Sequence, residues 1–313
     1  MASAVGRRAG GGGARLRQKP APPALPRVVG AHAPVAGGLA RALSYVDTVD
    51  ARAVQVYVSN PRGWARGDGD PEQDRAFLDG IDKREIPAYV HATLLTNLGS
   101  PTPATVAQSV ATLAHALERG RVIGARGVVF HAGSAVDERH EEPALAQLRE
   151  HLLPLLDAAA HVGAPRLLVE PSAGGGRSLA ARVEQLDRYL DAVDRHPWLG
   201  VCFDTCHAWA AGHDLASPGG MIATLDALVA ACGPGRLALV HANDSKDPLG
   251  STRDRHENIG TGQIGAAAFG ELFAHPAVAG VPVIVETPSE GASGHAKDIG
   301  ALRDLAAAPV AAG

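Results

Sequence analysis

The feature that most constrains this chain is a short apolar run that recurs eight times. The runs are Val28 to Ala31, Ala53 to Ser59, Ile86 to His91, Gly127 to His131, Arg166 to Glu170, Gly200 to Asp204, Leu237 to His241 and Pro282 to Glu286. They are rich in Val, Ile and Leu and show little polar alternation, which is the pattern of parallel strands buried on both faces. Helical patterns lie between them. In the clearest, Leu145, Leu148, Leu152, Leu155, Leu156 and Ala159 share one face. Val106 to Leu117, Leu179 to Leu190, Ile222 to Ala231 and Ala267 to Phe273 behave similarly. Eight such units predict an α/β fold, a (β/α)8 TIM barrel with its active site at the C-terminal strand ends. An open doubly wound sheet would need a Gly-x-Gly-x-x-Gly turn after the first strand, and none is there.

A single barrel accounts for most of the 313 residues, expected over 27–313. Residues 1–26 differ in kind. They are rich in Gly, Ala, Arg and Pro, cannot bury a face, and are expected to be a disordered tail. No apolar run approaches membrane-spanning length. The formal charge of −4 does not mark a basic nucleic-acid binder, although local basic loops can still meet phosphate. The three cysteines, Cys202, Cys206 and Cys232, are odd in number and lack a scaffold spacing, so they read as reduced packing thiols of an intracellular chain. The 14 histidines are the surplus that needs explaining.

The strand ends explain it. In order they carry His32, Ser59-Asn60, His91, His131, Glu170, Asp204, His241 and Glu286. A barrel gathers these ends around one mouth, where clustered carboxylates without a cation would be electrostatically costly. His207 follows Asp204, and Asp254-Arg255-His256 places two more ligands in the loop after the seventh run. The candidate ligands are thus His91, His131, Glu170, Asp204, His207, His241, Asp254, His256 and Glu286. Nine exceed what one zinc needs, and three sites with open positions would use them. Nitrogen and oxygen donors without thiolate favour zinc or manganese over calcium. Cys202 and Cys206 are not counted as ligands. Basic and aromatic residues flank the same mouth: Arg62 and Trp64 after the second run, and Lys246, Arg253 and Arg255 in the late loop. At a metal-lined mouth these read as phosphate and base-stacking contacts.

These motifs resemble the endonuclease IV family of abasic-site endonucleases. The matching segments include Gly30-Ala31-His32, Asn97-Leu98-Gly99, Phe130-His131-Ala132-Gly133-Ser134, Val169-Glu170, Asp204-Thr205-Cys206-His207-Ala208-Trp209, His241-Ala242-Asn243-Asp244, Asp254-Arg255-His256 and Val285-Glu286-Thr287. They run in family order over essentially the whole chain after residue 26. The resemblance implies three zinc ions. One would take His91, His131 and Glu170. A second would share the catalytic Glu170 and add Asp204, His241 and Glu286. The third would take His207, Asp254 and His256. It implies hydrolysis of the phosphodiester 5′ to an abasic site in duplex DNA, leaving a 3′-hydroxyl and a 5′-deoxyribose phosphate. A cytoplasmic, nucleoid-associated monomer follows as an expectation. Gly63, Leu94 and Pro171-Ser172 depart from residues usual in the family, and they touch DNA grip and the support around the ligands rather than the ligands themselves. A sugar isomerase or epimerase on a related barrel is the alternative. It would leave His207, Asp254 and His256 without a role. A noncatalytic barrel would be expected to have lost a ligand, and every expected ligand is present.

Overall fold

The computed structural model describes residue 1 and residues 27–308. The expected tail, Met1 aside, and residues 309–313 lie outside the described residues. The eight runs form a closed parallel barrel. Its strands are β1 (Val29–His32), β2 (Val54–Tyr57), β3 (Ala88–His91), β4 (Gly127–His131), β5 (Arg166–Glu170), β6 (Leu199–Asp204), β7 (Leu237–His241) and β10 (Val283–Val285). Each pairs with the next in that order, and β10 closes onto β1. A two-stranded ribbon, β8 (Asp244–Ser245) with β9 (His256–Glu257), rises from the loop after β7.

The helices around the barrel are α1 (Leu39–Thr48), α2 (Pro71–Arg84), α3 (Pro103–Val122), α4 (Glu141–Val162), α5 (Leu186–Asp191), α6 (Thr205–Ala210), α7 (Gly220–Cys232), α8 (Ala266–Ala274) and α9 (Ser293–Ala307). The α4 stripe behaves as its spacing predicts, with Leu148, Leu152 and Leu156 buried. The expected helix from Leu179 to Leu190 is a correction. Its first residues are pinned elsewhere: Leu179 N–H donates to the Gly133 carbonyl and Ser172 N–H to that of Ala180. The side chain of Gln185 then accepts from Ala181 and Arg182 N–H. A 3-10 turn therefore begins only at Val183, and α5 follows it. These tertiary hydrogen bonds outweigh the helical spacing of the leucines.

Strand alternation sorts side chains inward and outward. Ala53, Tyr89, Val129, Leu168, Cys202, Leu239 and Ile284 fill a layer of their own inside the barrel. Their neighbours, such as Val169, Phe203 and Val240, pack outward in the core shared with the helices. One step beyond the inner layer, toward the C-terminal mouth, the inward positions are Gln55, His91, His131, Glu170, Asp204 and His241. This layering makes a packed floor beneath the site. Gly30 lets β1 approach β2, because a Cβ there would overlap the Ala53 carbonyl. The second strand ends at Tyr57 rather than at the expected Ser59, where its register with His91 ends.

Candidate metal centre

The strand ends bring three imidazoles onto one carboxylate. Glu170 is 1% exposed, and the Nε2 atoms of His91 and His131 each stand 3.4 Å from its Oε2. His241 Nδ1 lies 2.8 Å from Oε1. Around His241, the Glu286 Oε2 is 3.3 Å and the Asp204 Oδ2 is 3.8 Å from the same Nδ1. Asp204 Oδ2 is also 3.8 Å from His256 Nε2. Asp254 reaches His207 Nε2 at 3.2 Å and His256 Nε2 at 2.9 Å.

Local folding explains how the late ligands arrive. Asp204 ends β6 and caps α6, accepting from His207 N–H at 2.9 Å, so the chain turns back and His207 faces the mouth. The loop carrying Asp254 is held to α6 by Gly250 N–H on the Trp209 carbonyl and Thr252 N–H on that of Ala210. The ribbon pairs His256 with Ser245 and sets its depth. Asn243 donates to Asp204 Oδ2 at 2.8 Å, and its own oxygen accepts from Glu286 N–H.

Outward hydrogen bonds orient the imidazoles. His91 Nδ1 donates to the Ala92 carbonyl at 2.7 Å, His207 Nδ1 to that of Pro171 at 3.0 Å, and His256 Nδ1 to that of Glu286 at 3.2 Å. Each leaves Nε2 as the lone-pair atom facing the carboxylates, which is how ligating histidines are usually held. The Pro171 departure spares this support, because the acceptor is a backbone carbonyl.

The donor set fits cations. Glu170 Oε2 is buried and forms no hydrogen bond. Donor triplets whose atoms lie within 4.8 Å of one another are His91-His131-Glu170, Asp204-His241-Glu286 and Asp204-His207-His256. Two further triplets include a thiol, Cys202 with Glu170 and His241, and Cys206 with Asp254 and His256. Burial pushes the Cys202 thiol up to about 12, and it raises that of Cys206 as well, so both favour the neutral thiol.

Charge is displaced strongly toward ion pairs. Burial pushes Glu170 up, but His241, His131 and His91 overcome it and hold the carboxyl well below its usual range. Glu286 and Asp254 are also held down against burial, Glu286 by His241 and His32, Asp254 by His207 and His256. Burial disfavours charged His256, yet Asp254 and Asp204 raise it to about 9. Such clustering of displaced ionisation marks functional sites more often than structural ones.

The mouth encloses a cavity of about 330 Å³ lined by His32, Tyr57, His91, Leu94, His131, His207, Asp254, His256, Glu286 and neighbours. Arg62 is exposed beside it, Trp64 half-buried, and Lys246 and Arg253 exposed. Arg255 is bound by the Asp247 carboxylate at 2.6 Å through Nε, with a second contact through NH2. Spacing alone passes over Gln55, Tyr57 and Asn243. Gln55 has a visible signal, a lone polar residue in the run Ala53 to Val58, in phase with Tyr57.

No helix of the described residues is long and apolar enough to cross a membrane. A model of the xylose isomerase-like TIM barrel family matches residues 43–305. A protein named probable endonuclease 4 from Streptomyces coelicolor is 55% identical over 283 residues, covering 90% of this chain and 96% of that one. The crystal structure of endonuclease IV from Thermus thermophilus is 33% identical with a TM-score of 0.78, covering 89% of this chain and 98% of that one. A 3-keto-D-glucoside 4-epimerase from E. coli, 15% identical with a TM-score of 0.66 over 89% of this chain and 100% of that one, shares the fold alone. The chain therefore belongs to the endonuclease IV family, nucleases built on the xylose isomerase-like TIM barrel.

Proposed function

We propose that this protein incises duplex DNA by hydrolysing the phosphodiester 5′ to an abasic site, leaving a 3′-hydroxyl and a 5′-deoxyribose phosphate, with three zinc ions. The observation that carries the reading is the continuity of the donor sets. Glu170 offers one oxygen to His91 and His131 and the other to His241. Asp204 offers one oxygen at equal distance to His241 and His256. Two carboxylates thus join three neighbouring sets in a row.

His91, His131 and Glu170 would hold the first ion; Glu170, Asp204, His241 and Glu286 the second; His207, Asp254 and His256 the third. Ions so held supply an acidified water at neutral pH and positive charge against a phosphodiester. The chain's own residues orient that chemistry. Carbonyls of Ala92, Pro171 and Glu286 keep three imidazoles turned inward. Asn243 fixes Asp204 relative to Glu286. Arg62, Trp64, Lys246 and Arg253 face the DNA backbone around the mouth, while Arg255 stiffens the late loop through Asp247. The substrate is chromosomal DNA in the cytoplasm, met by a monomer.

An epimerase reading is disfavoured because it gives His207, Asp254 and His256 nothing to do, although all three converge beside Asp204. The decisive experiment is incision of a duplex with one synthetic abasic site, paired with elemental analysis. A single 5′ nick and about three zinc per chain are expected. Folded, zinc-loaded protein that leaves the duplex intact would refute the assignment.

A further inference from the structure

Gln55 lies on β2 at 0% exposure, beneath the candidate ions. Its amide reaches two ligands on distant strands. The Oε1 atom is 2.9 Å from His241 Nε2 on β7. The Nε2 atom is 2.6 Å from Glu286 Oε1, just beyond β10, and 2.9 Å from His32 Nδ1 on β1. Among the described residues, no other side chain touches both His241 and Glu286 with hydrogen bonds of opposite sense.

With an ion on His241 Nδ1, the directions of these bonds follow. His241 turns Nδ1 toward Glu170, Glu286 and Asp204, so Nδ1 is its ion-facing atom. A neutral imidazole with a lone pair on Nδ1 must carry its proton on Nε2, and that buried N–H needs an acceptor. Gln55 Oε1 is the acceptor. Turning the amide over would set its NH2 against that N–H and its oxygen 2.6 Å from a carboxylate oxygen, two repulsive contacts. The orientation with the NH2 toward Glu286 satisfies both His241 and Glu286, while His32 Nδ1 donates to Glu286 Oε1 and accepts nothing from Gln55. In it, Glu286 Oε1 is occupied by the Gln55 NH2 and by His32, which leaves Oε2 toward His241 Nδ1.

We propose that Gln55 is a positioning residue for the second donor set, fixing His241 in its Nε2–H tautomer and holding one oxygen of Glu286 away from the ion. This rests on the three-ion reading above. A merely structural glutamine would change folding stability, whereas a tautomer lock changes the affinity of one ion among several.

The test uses full-length wild type, Q55L and Q55E, each stripped and reloaded with zinc. Chelator competition should show one ion of Q55L weakened by about 10- to 100-fold, with at least one other unchanged. Long-range 1H–15N spectra of the zinc-loaded protein should show His241 as Nε2–H in wild type, and lose that signature in Q55L. Q55E keeps an acceptor for His241 but sets a carboxylate against Glu286. It should retain the tautomer signature while still weakening the ion. Wild-type affinity for every ion in folded Q55L would overturn the inference. So would equal weakening of all ions together with a fall in the metal-free melting temperature. Wild type that binds no zinc would refute the three-ion reading and this inference together; wild type that binds zinc beside an unaffected Q55L would refute this inference alone.

Discussion

His241 Nδ1 lies 2.8 Å from Glu170 Oε1, while the opposite oxygen of Glu170 faces His91 and His131 at 3.4 Å. One carboxylate therefore belongs to two donor sets, and its charge matters more than its shape. Glu170→Gln keeps the shape and removes the charge. Incision at a synthetic abasic site should fall by at least about 100-fold, because several kcal/mol of metal-derived stabilisation are at stake. The metal-free protein should stay folded but melt lower near neutral pH, because the ion pairs of Glu170 with its histidines are lost. Near wild-type incision by this variant would exclude the shared role.

In metal-free protein the same groups make stability depend on pH. His256 is raised from 6.5 to about 9, and His91, His207 and His241 are raised as well. Their contribution is fully present below the unfolded value near 6.5 and is lost as pH rises through the folded values. Asp254, Glu170 and Glu286 are lowered, so theirs is present above the ordinary values of 3.8 to 4.5 and lost on acidification. His32, His213 and His295, each lowered mainly by burial, work against stability just below 6.5, but they are three groups against four. The stripped protein should melt highest between about pH 4.5 and 6.5 and lose stability toward pH 9. Zinc must displace these protons, so its apparent affinity should rise with pH over the same upper range. A melting temperature that climbs steadily from pH 6 to 9 without metal would contradict the ion-pair assignment.

The barrel was legible because parallel strands buried on both faces leave uninterrupted Val, Ile and Leu runs. Gly127–His131, Arg166–Glu170 and Leu237–His241 have the bounds their sequences predict. The convergence of His91, His131, Glu170, Asp204, His241 and Glu286 was legible because a barrel puts strand ends together. What failed depends on contacts between remote segments. Nothing local says that Leu179 N–H will seek the Gly133 carbonyl instead of a helical partner. The run Ala53 to Ser59 continues in apolar character past Tyr57, where pairing with β3 stops, so its pattern sets the strand end at Ser59 and Asn60 instead of two residues after Gln55.

Asp244 is a buried carboxylate whose partners are all backbone. It accepts from Ser245, Gly260, Gly262, Ile264 and Gly265 N–H at 2.8 to 3.2 Å. It thereby anchors the turn after β9, the strand that carries His256. Asp244→Asn presents an NH2 where only acceptors fit. The expected cost is about 2–4 kcal/mol of folding stability, since charge-assisted bonds are lost and a donor is left unpaired. Denaturant unfolding measures it. Gly262→Ala should be comparably harmful, because a Cβ would stand 2.5 Å from Asp244 Oδ1. A change below about 0.5 kcal/mol in Asp244→Asn, the range of ordinary surface substitutions, would show that the turn holds itself.

Arg62 combines a fixed backbone with an unengaged head. Thr93 Oγ1 and Leu94 N–H both donate to the Pro61 carbonyl, at 2.7 and 2.9 Å, and Asn60 Oδ1 accepts from Arg62 N–H at 2.9 Å. Its guanidinium has no hydrogen-bond partner among the described residues and is exposed, on a loop bonded to Leu94 of the cavity wall. A cation presented this way neutralises a phosphate without paying to order its loop. Arg62→Ala should weaken binding to an abasic duplex and lower the slope of log affinity against log salt by about 1. Melting temperature and zinc content should stay at wild-type values, because no contact of the barrel or of the donor sets is removed. Fluorescence anisotropy at several salt concentrations, with zinc-loaded Glu170→Gln as the background to prevent cleavage, separates the two quantities. An unchanged slope and affinity would place Arg62 off the DNA path and shift the phosphate-binding role to Lys246 and Arg253.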